Sequence, residues 1–135
     1  MKLLNTDLLF QTLLREAFPP EVAVVGDLDP GSYADLPLFT HYSTATQEGN
    51  GNGLWSVMLT VTLICETQDA FGLASELYSI VWSWNMPRAG VVPGVGAIET
   101  VQDSLAPARR GGEAQMEAKQ IVQYDGSWNF RVRND

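Results

Sequence analysis

The sequence predicts an α+β fold: a single, mostly antiparallel sheet of about four to five strands with two main helices packed on one face. Three observations lead there. Residues 54–66 alternate apolar and polar side chains with a period of two, the mark of a strand with one buried face. Two segments, 8–17 and 68–84, place their apolar residues at helical spacing instead. The candidate strands around them follow no regular strand–helix–strand alternation and no internal repeat appears, which argues against a doubly wound parallel sheet. At 135 residues, with 45% hydrophobic and 18% charged side chains, the chain reads as one globular domain, 1–135. A chain of this size buries roughly two-thirds of its unfolded surface, enough to fold without disulfides or metal.

The elements follow in order. Asn5 or Thr6 caps the first helix, Asp7 favours its positive first turn, and Leu8, Leu9, Leu13, Leu14 and Ala17 form its apolar stripe until Pro19-Pro20 end it. Residues 21–25 are a short strand candidate stopped by Gly26, and the Asp-Leu-Asp-Pro-Gly-Ser run that follows is turn chemistry. Residues 36–44 are a second strand candidate, with Pro37 near its start where a missing donor is tolerated. The tract 47–53 is rich in glycine and asparagine and suits a hairpin loop.

In the strand that comes next, Trp55, Val57, Leu59, Val61, Leu63 and Cys65 share the buried face, while Ser56, Met58, Thr60, Thr62 and Glu66 share the other. Cys65 is therefore a small core residue rather than a reactive thiol. Thr67 or Asp69 caps the second helix, whose stripe of Ala70, Leu73, Ala74, Leu77, Val81 and Trp84 faces the sheet. Phe71, Tyr78 and Trp82 adjoin that stripe as a surplus of large aromatics, to be covered by a loop, by the first helix or by another subunit. Residues 86–96 read as a Pro/Gly-rich loop, 97–101 as a strand and 104–112 as an irregular stretch carrying Arg109 and Arg110. The closing segment, 117–133, is strand-like throughout; Asp125-Gly126 is either a two-residue hairpin turn or a bulge in one long strand.

Charge narrows the function. Sixteen acids against eight bases give −8, and no lysine or arginine occurs between Glu16 and Pro87. Residues 1–103 carry net −9 and residues 104–135 net +1. A protein that grips nucleic acid through phosphates needs clustered cations, so primary DNA or RNA binding is disfavoured. No apolar run reaches the roughly 18 residues of a membrane-spanning helix, and the first residues are too polar for a signal peptide.

Motifs for chemistry are missing. The run 90–96 is glycine-rich but lacks the Lys-Ser/Thr end of a phosphate loop and the third glycine of a dinucleotide fingerprint. The run beginning at Asp27 starts like a calcium loop but has Leu38 where the twelfth-position glutamate belongs. No serine sits in a Gly-x-Ser-x-Gly elbow. The only histidine, His41, is expected on a strand face, hydrogen-bonded to neighbouring hydroxyls, and the single cysteine excludes an internal disulfide. No catalytic residue, cofactor site or metal site is expected.

Taken in order, these features resemble the tail terminator (tail completion) proteins of long, non-contractile-tailed bacteriophages. The likeness covers most of the chain: the leucine-rich first helix, the strand ending Val24-Val25-Gly26, and the strand opening Leu36-Pro37-Leu38. The Gly-rich hairpin, the long alternating strand, the helix with early alanines, the late Pro/Gly segment and the closing Asn129-Phe-Arg-Val-Arg133 complete it. The base-free stretch from Glu16 to Pro87 departs from the family, which usually carries more arginine early in the chain.

The resemblance implies a structural virion protein, not an enzyme, that forms a ring of six copies on the head-proximal end of the tail tube. Such a ring ends tube polymerisation and joins the tail to the head. Its partners would be further copies of the chain, the major tail tube protein and the head–tail connector, with DNA only as passing cargo and no membrane. Phe71, Tyr78 and Trp82 would be a self-assembly contact. Glu48, Gly49, Asn50, Gly51, Asn52, Gly53, Arg109 and Arg110 would lie in partner-docking loops. The resemblance also favours one long closing strand over the hairpin. Alternatives are another connector, completion or tube protein, or an unrelated soluble enzyme or ligand-binding module.

Overall fold

Asn5 starts the fold. In the computed structural model, which describes residues 2–26, 36–49, 51–110 and 120–135, its Oδ1 accepts from the Leu8 amide at 3.1 Å and caps helix α1, Thr6–Ala17. The chain leaves α1 extended at Phe18, just ahead of the two prolines. Strand β1, Ala23–Val25, then runs parallel to β2, Leu38–Gln47. Residues 27–35 between them, including the turn chemistry read in 27–32, lie outside the described residues, as do Asn50 and residues 111–119.

Strands β2 and β3, Leu54–Glu66, form an antiparallel hairpin. Gly49, Gly51 and Gly53 adopt positive φ in its loop, a conformation that costs a glycine nothing. Helix α2, Thr67–Ser83, follows β3 without a break. Neither Thr67 nor Asp69 caps it, contrary to expectation: Glu66 holds the cap position with no side-chain hydrogen bond. The Thr67 hydroxyl donates instead to the Gln120 carbonyl at 3.0 Å, tying the start of the helix to the beginning of the chain's last strand.

The rest of the sheet is β4, Val91–Val92, β5, Gly96–Arg109, and β6, Ile121–Asn134. The strand order is β1-β2-β3-β6-β5-β4, six strands with one parallel pair, where four to five mostly antiparallel strands were expected. The additions are short edge pieces and one long strand. The irregular stretch expected at 104–112 is, as far as Arg109, the second half of β5. Its period is hidden because three register shifts against β6 insert extra residues, between Ile98 and Thr100, Asp103 and Leu105, and Leu105 and Ala108. Bulges of this kind bend a strand and erase its alternation.

The closing segment is one strand, so Asp125-Gly126 makes no hairpin. Nor does β6 carry the bulge there; the extra residue opposite Gly126 belongs to β5.

Both helices cover the same face of the sheet. Leu9, Phe10, Leu13 and Leu14 of α1 and Ala70, Ala74, Leu77 and Val81 of α2 join Val57, Leu59, Val61, Leu63 and Cys65 of β3 and Trp128, Phe130 and Val132 of β6 in one core. At its centre the Phe10 and Phe130 rings lie 5.2 Å apart, with Trp84 against both. His41 is buried in that face, but its fixing partner is remote. Gln11 donates through Nε2 to the Val24 carbonyl at 2.9 Å, so its Oε1 accepts from His41 Nε2 at 2.6 Å. This pair ties α1 to both β1 and β2.

Candidate functional site

The opposite face of the sheet carries no helix among the described residues. Across β2 and β3 it presents Thr40, Tyr42, Thr44 and Thr46 beside Thr62, Thr60, Met58 and Ser56. Asp125, Ser127, Asn129 and Arg131 of β6 continue the rows. Hydroxyls are used within the face: Thr60 and Ser127 share a hydrogen bond of 3.0 Å, and Thr62 donates to Asp125 at 2.8 Å. Tyr42 is 70% exposed and Met58 46%. At one end Leu38 and Ile64, paired directly across β2 and β3, are both buried to 1% exposure and stand apart from the main core.

The arginines of this face are neutralised. Arg131 meets Glu48 at 3.0 Å, Arg133 meets Glu99 at 2.8 Å, and Arg110 approaches Asp125 at 3.8 Å. Each pair is partly exposed, so its contribution to stability is small. Their effect on the surface field is larger, because the cations are cancelled where they stand. Glu48, read as a docking-loop residue, is thus anchored to the sheet at the base of the loop. Arg109 makes no ion pair among the described residues, and Asn50 falls outside them.

The three aromatics of α2 have separate fates. Phe71 is 76% exposed. Tyr78 and Trp82 are half-buried by the chain itself, through a residue that sequence reasoning missed. Asp103 of β5 accepts from the Tyr78 hydroxyl at 2.6 Å and from the Trp82 indole N–H at 2.8 Å. That hydrogen bond to the carboxylate holds the Tyr78 phenol above its ordinary value of 10.0. No local pattern signals Asp103, which lies 21 residues from Trp82 beside a bulge.

Beside this clamp, Phe71, Ala74, Ser75, Tyr78, Ala106, Pro107 and Tyr124 line an open, mostly apolar groove of about 210 Å³. A second open groove of about 520 Å³ lies on the other flank of α2, between Pro37 and Gln68, Asp69, Gly72, Leu73 and Glu76.

Cys65 lies in the core, and desolvation, with Asp69 and Glu66 nearby, pushes its thiol up to about 11. It stays protonated at neutral pH, unlike a nucleophilic cysteine. Among the described residues no group of three or more His, Cys, Asp or Glu side chains is placed to hold a metal ion. No described helix is long and apolar enough to cross a membrane. Compared with models of known protein families, the chain matches none, and comparison with characterised proteins also finds no match.

Proposed function

We propose that this chain is a structural subunit of a phage tail, a terminator that assembles as a ring of six on the head-proximal end of the tail tube. There it ends tube growth and joins the tail to the head connector. The observation that supports this reading is the one-sided architecture. Two helices seal one face of the sheet, while the other carries no helix among the described residues and exposes Tyr42 and Met58. A subunit built this way meets its neighbours with unlike surfaces, as a closed cyclic assembly requires.

The charge distribution is compatible with a channel that DNA traverses. A net charge of −8 and the pairing of Arg110, Arg131 and Arg133 leave the helix-free face, among the described residues, without unpaired cations to hold phosphates. Phe71 and the groove beside it are candidates for contact between copies. The loop at Glu48, Gly49, Gly51, Asn52 and Gly53, and the segment at Arg109 and Arg110, are candidates for docking on the tube or the connector.

Native mass spectrometry of the chain, alone and mixed with assembled tail tubes, tests the reading. Six copies free in solution or six per tube end is the expected result. A monomer or dimer that ignores tubes refutes it and redirects attention to a connector or ligand-binding role. Charge reversal at Glu48 and Arg109 that leaves tail length and head joining unchanged removes those loops as docking elements.

A further inference from the structure

We propose that copies of this chain bind one another head to tail, with the 86–88 loop of one copy seated in the acidic groove beside α2 of the next. This rests on the ring reading and deepens it by naming the contact.

The loop is built to project. It follows the end of α2, Met86 is 64% exposed, and Arg88 holds a positive φ of 66°, a conformation uncommon for a residue with a side chain. Non-glycine residues in this region persist where the surroundings impose them, and they cluster at functional positions. Arg88 is also the first cation after Arg15. Unlike Arg110, Arg131 and Arg133, it makes no ion pair among the described residues.

The groove supplies the complement. Pro37 and the half-buried Leu73 give it apolar walls, and Gly72 leaves open space where another residue would carry a Cβ. Asp69 and Glu76 line it as well, and neither has an ion-pair partner among the described residues. Met86 fits the apolar part and Arg88 the two carboxylates.

Geometry and sign exclude the simpler pairings. Asp69 lies about 21 Å along the helix axis from Ser83, at 1.5 Å per residue, so the loop of a copy stands well away from its own Asp69. The other groove, lined by Phe71, Pro107 and Tyr124, adjoins Arg109, in register with Tyr124, and Asp103, whose carboxylate already accepts from Tyr78 and Trp82, so none of its lining residues is a carboxylate for Arg88. Used head to tail, loop and groove make a heterologous contact, which gives a ring where the rotation between successive copies closes.

A charge-swap experiment read by native mass spectrometry and sedimentation tests the contact. Arg88→Glu alone, and Asp69→Arg with Glu76→Arg, are each expected to weaken assembly by at least roughly tenfold, since each sets like charges against one another. Met86→Asp, a second lesion in the loop, should do the same. Mixed one to one, the two charge-reversed chains should recover the ring with alternating copies, because every contact between unlike chains again joins opposite charges. Combining all three substitutions in one chain should recover it too. A wild-type ring that Arg88→Glu and Met86→Asp leave intact overturns the contact while the ring reading stands. Loss of assembly that neither mixing nor combination repairs also overturns the contact. A wild-type chain that is monomeric both alone and at tube ends overturns the contact and the ring together.

Discussion

Gly126 offers the sharpest test of how this sheet is built. It is buried on the helix-covered face of β6, opposite Val61, and its φ is not in the left-handed region. Alanine is therefore conformationally acceptable there, and only space forbids it. A Cβ on Gly126 would lie 2.8 Å from Trp128 Cη2, 3.1 Å from Pro107 Cγ and 3.3 Å from Pro107 Cα. The first neighbour is the rigid tip of an indole with no exposed surface, and the last is backbone. Overpacking a close-packed core costs about 1–3 kcal/mol, offset by about 0.4–1 kcal/mol of lost unfolded-state freedom, so Gly126→Ala should lose about 1–2 kcal/mol.

Gly72→Ala is the counterpart. Gly72 is exposed inside α2, and nothing lies within 4 Å of a Cβ built there. It should gain about 0.5–1 kcal/mol. Thermal and urea unfolding followed by circular dichroism, at a concentration where the parent and both variants are monomeric, should separate their midpoints by roughly 6–15 °C. A Gly126→Ala protein that melts at or above the parent, while Gly72→Ala behaves as stated, refutes the packing of Trp128 and Pro107 over this strand.

Two further outcomes follow from titrating groups. Tyr78 is held neutral by Asp103, so its stabilising effect is present below the ordinary tyrosine value and is lost as pH rises through the raised one. Ultraviolet difference titration of the parent and of Asp103→Asn should show part of the tyrosine ionisation moving to lower pH in the variant; superimposable titrations refute the clamp. Cys65, with its thiol pushed up to about 11, should resist alkylation at mildly alkaline pH until urea unfolds the chain, whereas prompt labelling of the folded protein would place it outside the core.

What the sequence discloses depends on whether a rule is local. The β3 alternation is readable because both helices pack on one side of a regular strand, so every second residue from Trp55 to Cys65 is buried. The α1 start is readable because a cap involves residues three apart, Asn5 and Leu8. The second half of β5 is not, although 97–101 reads as a strand, because inserted residues break the period of two and Pro107 reads as a loop signal. Asp125-Gly126 has the composition of a hairpin turn. Its place inside β6 is dictated by the long pairing with β3, which no dipeptide encodes. Likewise the glycine loop at 49–53 is contiguous and visible, whereas the Asp103 clamp and both α2 grooves join segments many residues apart.

The edges of the sheet bear on how copies can meet. A long open strand such as β5 would ordinarily invite pairing with another chain. Near its start, the Ile98 amide donates to the Gly90 carbonyl at 2.8 Å and the Val101 amide to Asn85 Oδ1 at 3.1 Å, so two of its donors are already satisfied. Further on, two register shifts and Pro107, which has no amide hydrogen, interrupt the remaining edge. At the other end of the sheet β1 is only three residues long. Short edge strands, bulges and proline are the devices that block strand addition. With the β5 edge guarded in this way, and β1 covering β2 only from Leu38 to Thr40, the contact we propose between copies runs through side-chain surfaces instead, where exchanging the sign of the charge at Arg88, or at Asp69 and Glu76, would break it and exchanging all three would restore it.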